Sequence, residues 1–529
     1  MITWFKKEEL YPWAGRQSIY AAVKAQLERH GRIEDDKLPD DEEFWDGHRL
    51  RWVAGGLDGA FGHHGGRDED ANRKVKAIAQ ALAKLSRKPG PRTRRAAYLL
   101  LMQKDALGVI DPLLDALGGF PGVQPHQLYR EATWLTENAA HRNVVKFGIA
   151  LLGRFETELH RDLVVALGKH EEFTLYASVA IQNSLANVNR ELFELAQNVH
   201  GWGKIQLVER LEPATPEIKD WLLRQGCRNS VMNEYLAYAC AVNGELHLAL
   251  AADAVDAELY EGAGDILAAL ISGGPAEDID DYAHAPEVIG HYLRHSQERC
   301  ANVMHLSDLI AIHDFLRDED DRWAVRHAAG AWTEAERLRL RDACAAIVLR
   351  ADWPDKVWAA LTAGSRAEQY TAIRAARTLG LDIWPELFRQ LQRSSADQSL
   401  YYELMRTDDR ARVEAVVAHA ERTLPLAEIA SGPADEMGFG PAFAAHGALD
   451  SVVQELDAYA GIGGRLIAAA LQSPVVRNRS LALKALEAWP LAAWDADMPA
   501  ALRTLLAAEP DGELKAGITA LLQKHGLQA

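Results

Sequence analysis

PHQLYREATWLTENAAHRNVVKFGIALLGRFETELHRDLVVALGKHEEFTLYASVAIQNSL, residues 125–185, reads as four helices in succession: PHQLYREATWLTENAA, NVVKFGIALLGRF, TELHRDLVVALGK and FTLYASVAIQNSL. The breaks between them are short, which makes successive helices antiparallel neighbours. Outward from this run, Ala/Leu-rich segments of ten to eighteen residues alternate with short breaks from about residue 71 onward. Period-two runs of Val, Ile, Thr and Tyr are nearly absent, so the expected fold class is all-α.

Individual stripes carry the same reading. After Pro474, the residues Val475, Ala482, Ala485, Leu486 and Trp489 fall at helical spacing, with Ser473 placed to cap and Pro474 at the first helical position. The opposite face of that helix carries Arg477, Arg479 and Lys484. Val325, Ala328, Ala329 and Trp332 form a second stripe after Asp321. A third joins Ala372, Ala375, Ala376 and Leu379 before Gly380, and a fourth Leu514, Gly517, Ile518 and Leu521 after Asp511. Small residues in a stripe let helix axes approach to ~8 Å, as layered helix pairs require.

Three phrases, DRWAVRHAAGAW at Asp321 to Trp332, VVRNRSLALKALEAW at Val475 to Trp489 and GELKAGITALL at Gly512 to Leu522, resemble the second helix of HEAT repeats. The shared pattern is a Val-Arg step followed by spaced Ala and Leu. The likeness extends in degenerate form over about two thirds of the chain, with irregular spacing between matched helices. It implies a HEAT-like α-solenoid of antiparallel helix pairs, of the bacterial cytoplasmic type, in a family used for binding. It transfers no catalytic residue.

Composition narrows the class further. The 529 residues carry a net charge of −18 and are 48% hydrophobic and 25% charged, ordinary for a chain folded nearly throughout. A pI near 5.5 argues against wholesale coating of nucleic acid or adhesion to an anionic membrane. No apolar leader or ~20-residue apolar run is present, so a cytoplasmic protein with no membrane partner is expected. Cys227, Cys240, Cys300 and Cys344 lack CxxC spacing and read as reduced core thiols.

Three blocks are expected. Residues 1–70 form an N-terminal cap rich in large aromatics (Trp4, Phe5, Trp13, Phe44, Trp45, Trp52 and Phe61), with eight acids between Glu34 and Asp46 and a glycine-rich loop from Gly55 to Gly66. Residues 71–275 and 276–529 form two helical-repeat blocks; Ser272 to Pro286 and Ser431 to Pro441, where Gly, Pro and acids accumulate, are breaks or, on the blander reading that outweighs it, long loops between repeats.

Candidate chemistry lies in four places. The loop GGLDGAFGHHGG offers Asp58, His63 and His64 on a permissive backbone; joined to Glu137 and His141, it is the candidate catalytic set of a metal-assisted hydrolase. The bland reading of Glu137 to Asn143 is an inter-helix corner. Glu287, His291, His295 and Glu298 recur on one helical face, making His291 and His295 candidate zinc ligands, although no HExxH base accompanies them. Between Ala71 and Lys104 there are ten basic residues and no acid. Of these, Arg73, Lys74, Lys76, Arg87, Lys88, Arg92, Arg94 and Arg95 are the candidate partner-binding residues, unless the acids of 34–46 or 68–70 neutralise them.

The expected function is therefore a scaffold that binds a macromolecular partner, a protein foremost, through an extended helical surface. The alternatives are the metal-assisted hydrolase or nucleic-acid-processing enzyme, and nucleic-acid binding through residues 73–104. No cofactor is expected outside the hydrolase reading, which calls for a divalent metal.

Overall fold

Several helices in this chain start on short polar side chains. Ser18, Asp256, Thr333, Asp409 and Asp511 each accept a backbone N–H from the first turn of the helix that follows. That satisfies donors a helix leaves orphaned at its start. The computed structural model describes residues 11–47, 51–64, 71–103 and 106–527, with only the backbone given for 61–64 and 71–72. Among the described residues 69% are helical and none lies in a strand, as the sequence reading expects. The chain divides into two units, Met1–Ala375 and Ala376–Ala529.

In the first unit the helices used below are α1 (Ile19–His30), α2 (Gly56–His64), α3 (Ala71–Arg87), α4 (Pro91–Leu101), α5 (Leu107–Gly118) and α6 (Pro125–Asn138). They continue with α7 (Arg142–Leu152), α8 (Arg161–Gly168), α9 (Glu171–Ser184), α10 (Val188–Ala196) and α11 (Trp202–Val208). Farther on come α12 (Ala257–Ser272), α13 (Ala285–Arg299), α14 (Val303–Arg317) and α15 (Glu334–Val348). The four helices expected in residues 125–185 are α6, α7, α8 and α9. α6 packs on α7, α7 on α9 and α9 on α11; later, α12 packs on α14 and α14 on α15. α1 lies against α6 and α8 and so ties the N-terminal segment to the array.

The second unit contains α16 (Gln398–Met405), α17 (Arg410–Thr423), α18 (Ala444–Val453), α19 (Gly464–Leu471), α20 (Val476–Ala488) and α21 (Gly512–Lys524). α16 packs on α18, α18 on α20 and α20 on α21.

Several expectations need correction. The glycine-rich segment is helix α2 rather than a loop as far as His64; Gly65 to Asp70 lie outside the described residues. Glycine is used there for closeness, since a Cβ on Gly59 would come within 2.3 Å of the Trp202 ring. Ser272 to Pro286 lies within the first unit as a packed connection, where Ile279 and Tyr282 are buried and the Ile279 N–H donates to Leu270 O. Ser431 to Pro441 is likewise packed, pairing at Gly432 with Gln472 and at Glu436 with Pro474 and Val476. That pairing holds Val475 extended, so α20 begins at Val476 and the Ser473 hydroxyl accepts the Val475 N–H instead.

The stripe after Asp321 is rotated. Val325 is 69% exposed while Trp323 and Arg326 are buried. The indole outweighs the small residues in area to be removed from water, and Arg326 follows it inward because Asp280 pairs with its guanidinium between the Phe315 and Trp323 rings.

Candidate functional site

The first turn of α7 is polar and buried. The Arg142 guanidinium donates to Asp40 (Nη2 to Oδ1, 3.0 Å) and to Asp41, its backbone N–H donates to Asp40 at 2.8 Å, and the Phe44 ring lies 4.2 Å from its centre. One turn later the Lys146 ammonium sits 2.6 Å from both Asp58 and Glu172. Tyr176 donates to the same Asp58 oxygen at 2.9 Å, and the Gly55 N–H donates to Glu172 at 3.1 Å. Burial works against the Lys146 charge, but Glu172 and Asp58 overcome it and hold the ammonium above its ordinary range. Burial likewise opposes the Glu172 carboxylate, and Lys146 and Arg142 reverse that, so its pKa is lowered. The acidic run and α2 are thus fastened to the array by ion pairs that exclude water.

The candidate catalytic residues stand in different surroundings. Asp58 is engaged by Lys146 and Tyr176; Glu137 is exposed at the end of α6; His141 is buried. Among the described residues no group of three or more His, Cys, Asp and Glu is placed to hold a metal. The side chains of His63 and His64 lie outside the described residues. The cavity beside Asp58, bounded by Glu171, Glu172 and Trp202, measures about 10 Å³, room for one water at most.

Residues 139–141 are the inter-helix corner. Ala139 is extended, His141 precedes α7, and the corner is closed by Tyr98, whose oxygen accepts the Ala140 N–H at 3.0 Å. His141 has Nε2 3.0 Å from the Arg16 guanidinium and Nδ1 2.8 Å from the Tyr98 oxygen. Nε2 also lies 3.4 Å from the Glu43 carboxylate, so Arg16 and Glu43 hold one ring nitrogen and Tyr98 the other. Burial lowers the His141 pKa against the opposing pull of Glu43. This is a neutral, fully engaged imidazole.

The basic segment lies on α3 and α4. Arg94 is committed internally: it grips Glu131 through two hydrogen bonds of 2.8 and 3.0 Å and covers the Trp134 ring at 4.0 Å. Arg87 bonds the Ala83 carbonyl. Arg73 and Lys74 have partners of their own. Lys76, Lys84, Lys88, Arg92 and Arg95 are exposed, and among the described residues none of them meets a carboxylate. Five of the eight acids of 34–46 pair elsewhere: Glu34 with Arg32, Asp40 and Asp41 with Arg142, Glu42 with Arg51 and Lys37, Glu43 with Arg16. Asp68, Glu69, Asp70 and Lys104 lie outside the described residues.

The histidine face of α13 divides. His295 is buried with Nε2 2.9 Å from the Leu250 carbonyl, while His291 is partly exposed, 3.6 Å from Glu287. The two imidazoles turn to different partners.

Sequence reasoning missed an acidic cluster between α12 and α14. Arg228 pairs with Asp265 and lies 3.7 Å from Glu261, and Asp308 faces the same group. Burial, and secondly the Asp265 charge, push the Asp308 carboxyl well above the ordinary carboxylate range. Beside it lies a cavity of about 390 Å³ that includes Asp265 in its lining. Asp265 and Asp308 come from separate helices with no motif between them, so only the fold brings them together.

No helix among the described residues is long and apolar enough to cross a membrane. Comparison with protein-family models, curated proteins and solved structures gave no match.

Proposed function

We propose that this chain is a HEAT-like α-solenoid scaffold that binds a protein partner through its helical surface, with α3 and α4 presenting a basic face to an acidic patch. The solenoid reading draws on the order of packing. Runs such as α7–α9–α11, α12–α14–α15 and α18–α20–α21 have each helix meeting the next of its run, the pattern of stacked hairpins. The observation that carries the binding reading is the exposed set Lys76, Lys84, Lys88, Arg92 and Arg95, which among the described residues meet no carboxylate, on a chain of net charge −18. A cationic face on an acidic protein steers acidic partners to one place and repels them elsewhere.

The same face supports a second reading, binding of nucleic acid through phosphates. The two separate on salt and specificity. Nucleic-acid binding through five cations falls steeply with salt, whereas a protein interface with an apolar centre retains affinity. The test is the triple variant Lys88→Glu, Arg92→Glu, Arg95→Glu, which spares the Arg94–Glu131 pair. Loss of a specific cross-linked protein supports the scaffold reading. Loss of RNA or DNA retention alone supports the second.

A further inference from the structure

The cavity between α12 and α14 is lined in part by Asn233, Glu234, Asp265, Ser307 and Arg374. Glu234 and Arg374 carry opposite charge, and among the described residues neither side chain makes a hydrogen bond or an ion pair. They do not pair with each other either. Unlike charges that share a cavity without closing on one another leave each free for a ligand, and one molecule carrying both charges satisfies both.

The wall next to Asp265 is short of positive charge, because Glu261 and Asp265 share the single guanidinium of Arg228. Among the described residues the Asp308 carboxyl has no hydrogen-bond partner, and neither has the hydroxyl of the fully buried Tyr292. Both press on α12 at Gly264, where a Cβ would meet them at 2.5 and 2.6 Å. An added cation is therefore favoured on the Asp265 side of the cavity, and a carboxylate on the Arg374 side. The volume, about 390 Å³, lies in the range of small-molecule sites.

We propose that this cavity binds a free amino acid with a cationic side chain, of the arginine or lysine class, with its α-carboxylate on Arg374 and its cationic groups on Glu234 and Asp265. The site is separate from the basic face of α3 and α4 and stands whether or not that face binds a protein.

Titration calorimetry of the full chain with four probes tests it: L-arginine, agmatine, which lacks the carboxylate, Nα-acetyl-L-argininamide, which mimics an arginine within a peptide, and L-citrulline, whose side chain is neutral. L-arginine is expected to bind, and each of the other three to bind at least about tenfold more weakly, the scale of one lost charged contact. Glu234→Gln and Arg374→Ala are each expected to weaken L-arginine by a similar factor, and Arg374→Ala to leave agmatine unchanged. Neither side chain holds a partner in the fold, and unchanged melting of both variants confirms that they fold. The proposal is overturned if L-arginine gives no binding at millimolar concentration, if citrulline binds equally, or if Arg374→Ala weakens agmatine as much as arginine. Equal binding of Nα-acetyl-L-argininamide also overturns it, because the cavity then reads a protein side chain and not the free amino acid.

Discussion

Arg479 and Glu509 are fully buried and joined by two parallel hydrogen bonds of 2.7 Å, Nε to Oε2 and Nη2 to Oε1. The remaining guanidinium nitrogen, Nη1, donates to the carbonyls of Ala434 and Ser473 at 2.9 and 2.8 Å. One side chain of α20 therefore holds the 431–441 segment, the Ser473 corner and the residue that leads into α21. Replacing Arg479 with Met strands a buried carboxylate and is expected to cost about 3–5 kcal/mol. Lysine cannot supply the planar fork, so Arg479→Lys should recover only part of that. Denaturant unfolding of the second unit measures both; a loss below ~1 kcal/mol for Arg479→Met would refute the assignment.

Lys146 makes the corresponding contact in the first unit. With its ammonium removed, Asp58 and Glu172 lose their shared cation, and Lys146→Met is expected to destabilise by about 3–5 kcal/mol. Asp58→Asn leaves Glu172 to pair with Lys146 and should cost less. The order of the two midpoints is the check, and equal midpoints would contradict it.

Gly59→Ala sets two effects against each other. Alanine gains roughly 1 kcal/mol of helix propensity, but its methyl meets the Trp202 ring, and overpacking of this kind costs roughly 1–3 kcal/mol. The clash should win, lowering the melting temperature and shifting Trp202 fluorescence as α2 lifts from α11. A stabilised variant would show that α2 does not sit against the indole.

The Asp308 carboxyl has a folded-state pKa raised above its ordinary 3.8, by burial first and by Asp265 next, with Arg228 opposing and Glu261 adding to the rise. The native state therefore binds more protons than the unfolded chain between 3.8 and the raised value, and this group's contribution to stability falls as pH rises through that window. Asn carries no such penalty. Asp308→Asn should be more stable than the parent at neutral pH, with the gain shrinking toward acid. Parallel denaturation at several pH values checks this, and a gain that grows on acidification would invert the sign.

The residues themselves show what a sequence could reveal. The helices of 125–185 were readable because each is set off by a short break. Ala482, Ala485, Leu486 and Trp489 are buried as their spacing implies, yet Arg479, read on the polar face, is among the most deeply buried residues of the chain. Its burial depends on Glu509, thirty residues away, and no local pattern encodes that pairing. Val325 misled for a related reason, because periodicity weighs apolar residues alike whereas packing follows the large Trp323 ring. Asp58 and His141 were correctly marked as unusual. Their partners, Lys146 with Tyr176 and Tyr98 with Arg16, come from distant segments, so only the fold shows what these side chains meet. The basic segment is the most legible feature, since a run of cations with no acid is visible in the chain itself; which of its cations are engaged, Arg94 with Glu131 and Arg87 with the Ala83 carbonyl among them, needs the structure.

The most direct measurement is quantitative cross-linking and capture with the intact protein and with its Lys88→Glu, Arg92→Glu, Arg95→Glu form, both checked for identical melting. The scaffold account predicts that a defined protein, cross-linked to α3 or α4 in the parent, disappears from the variant. Recovery of that protein at the same yield on the reversed face would contradict it.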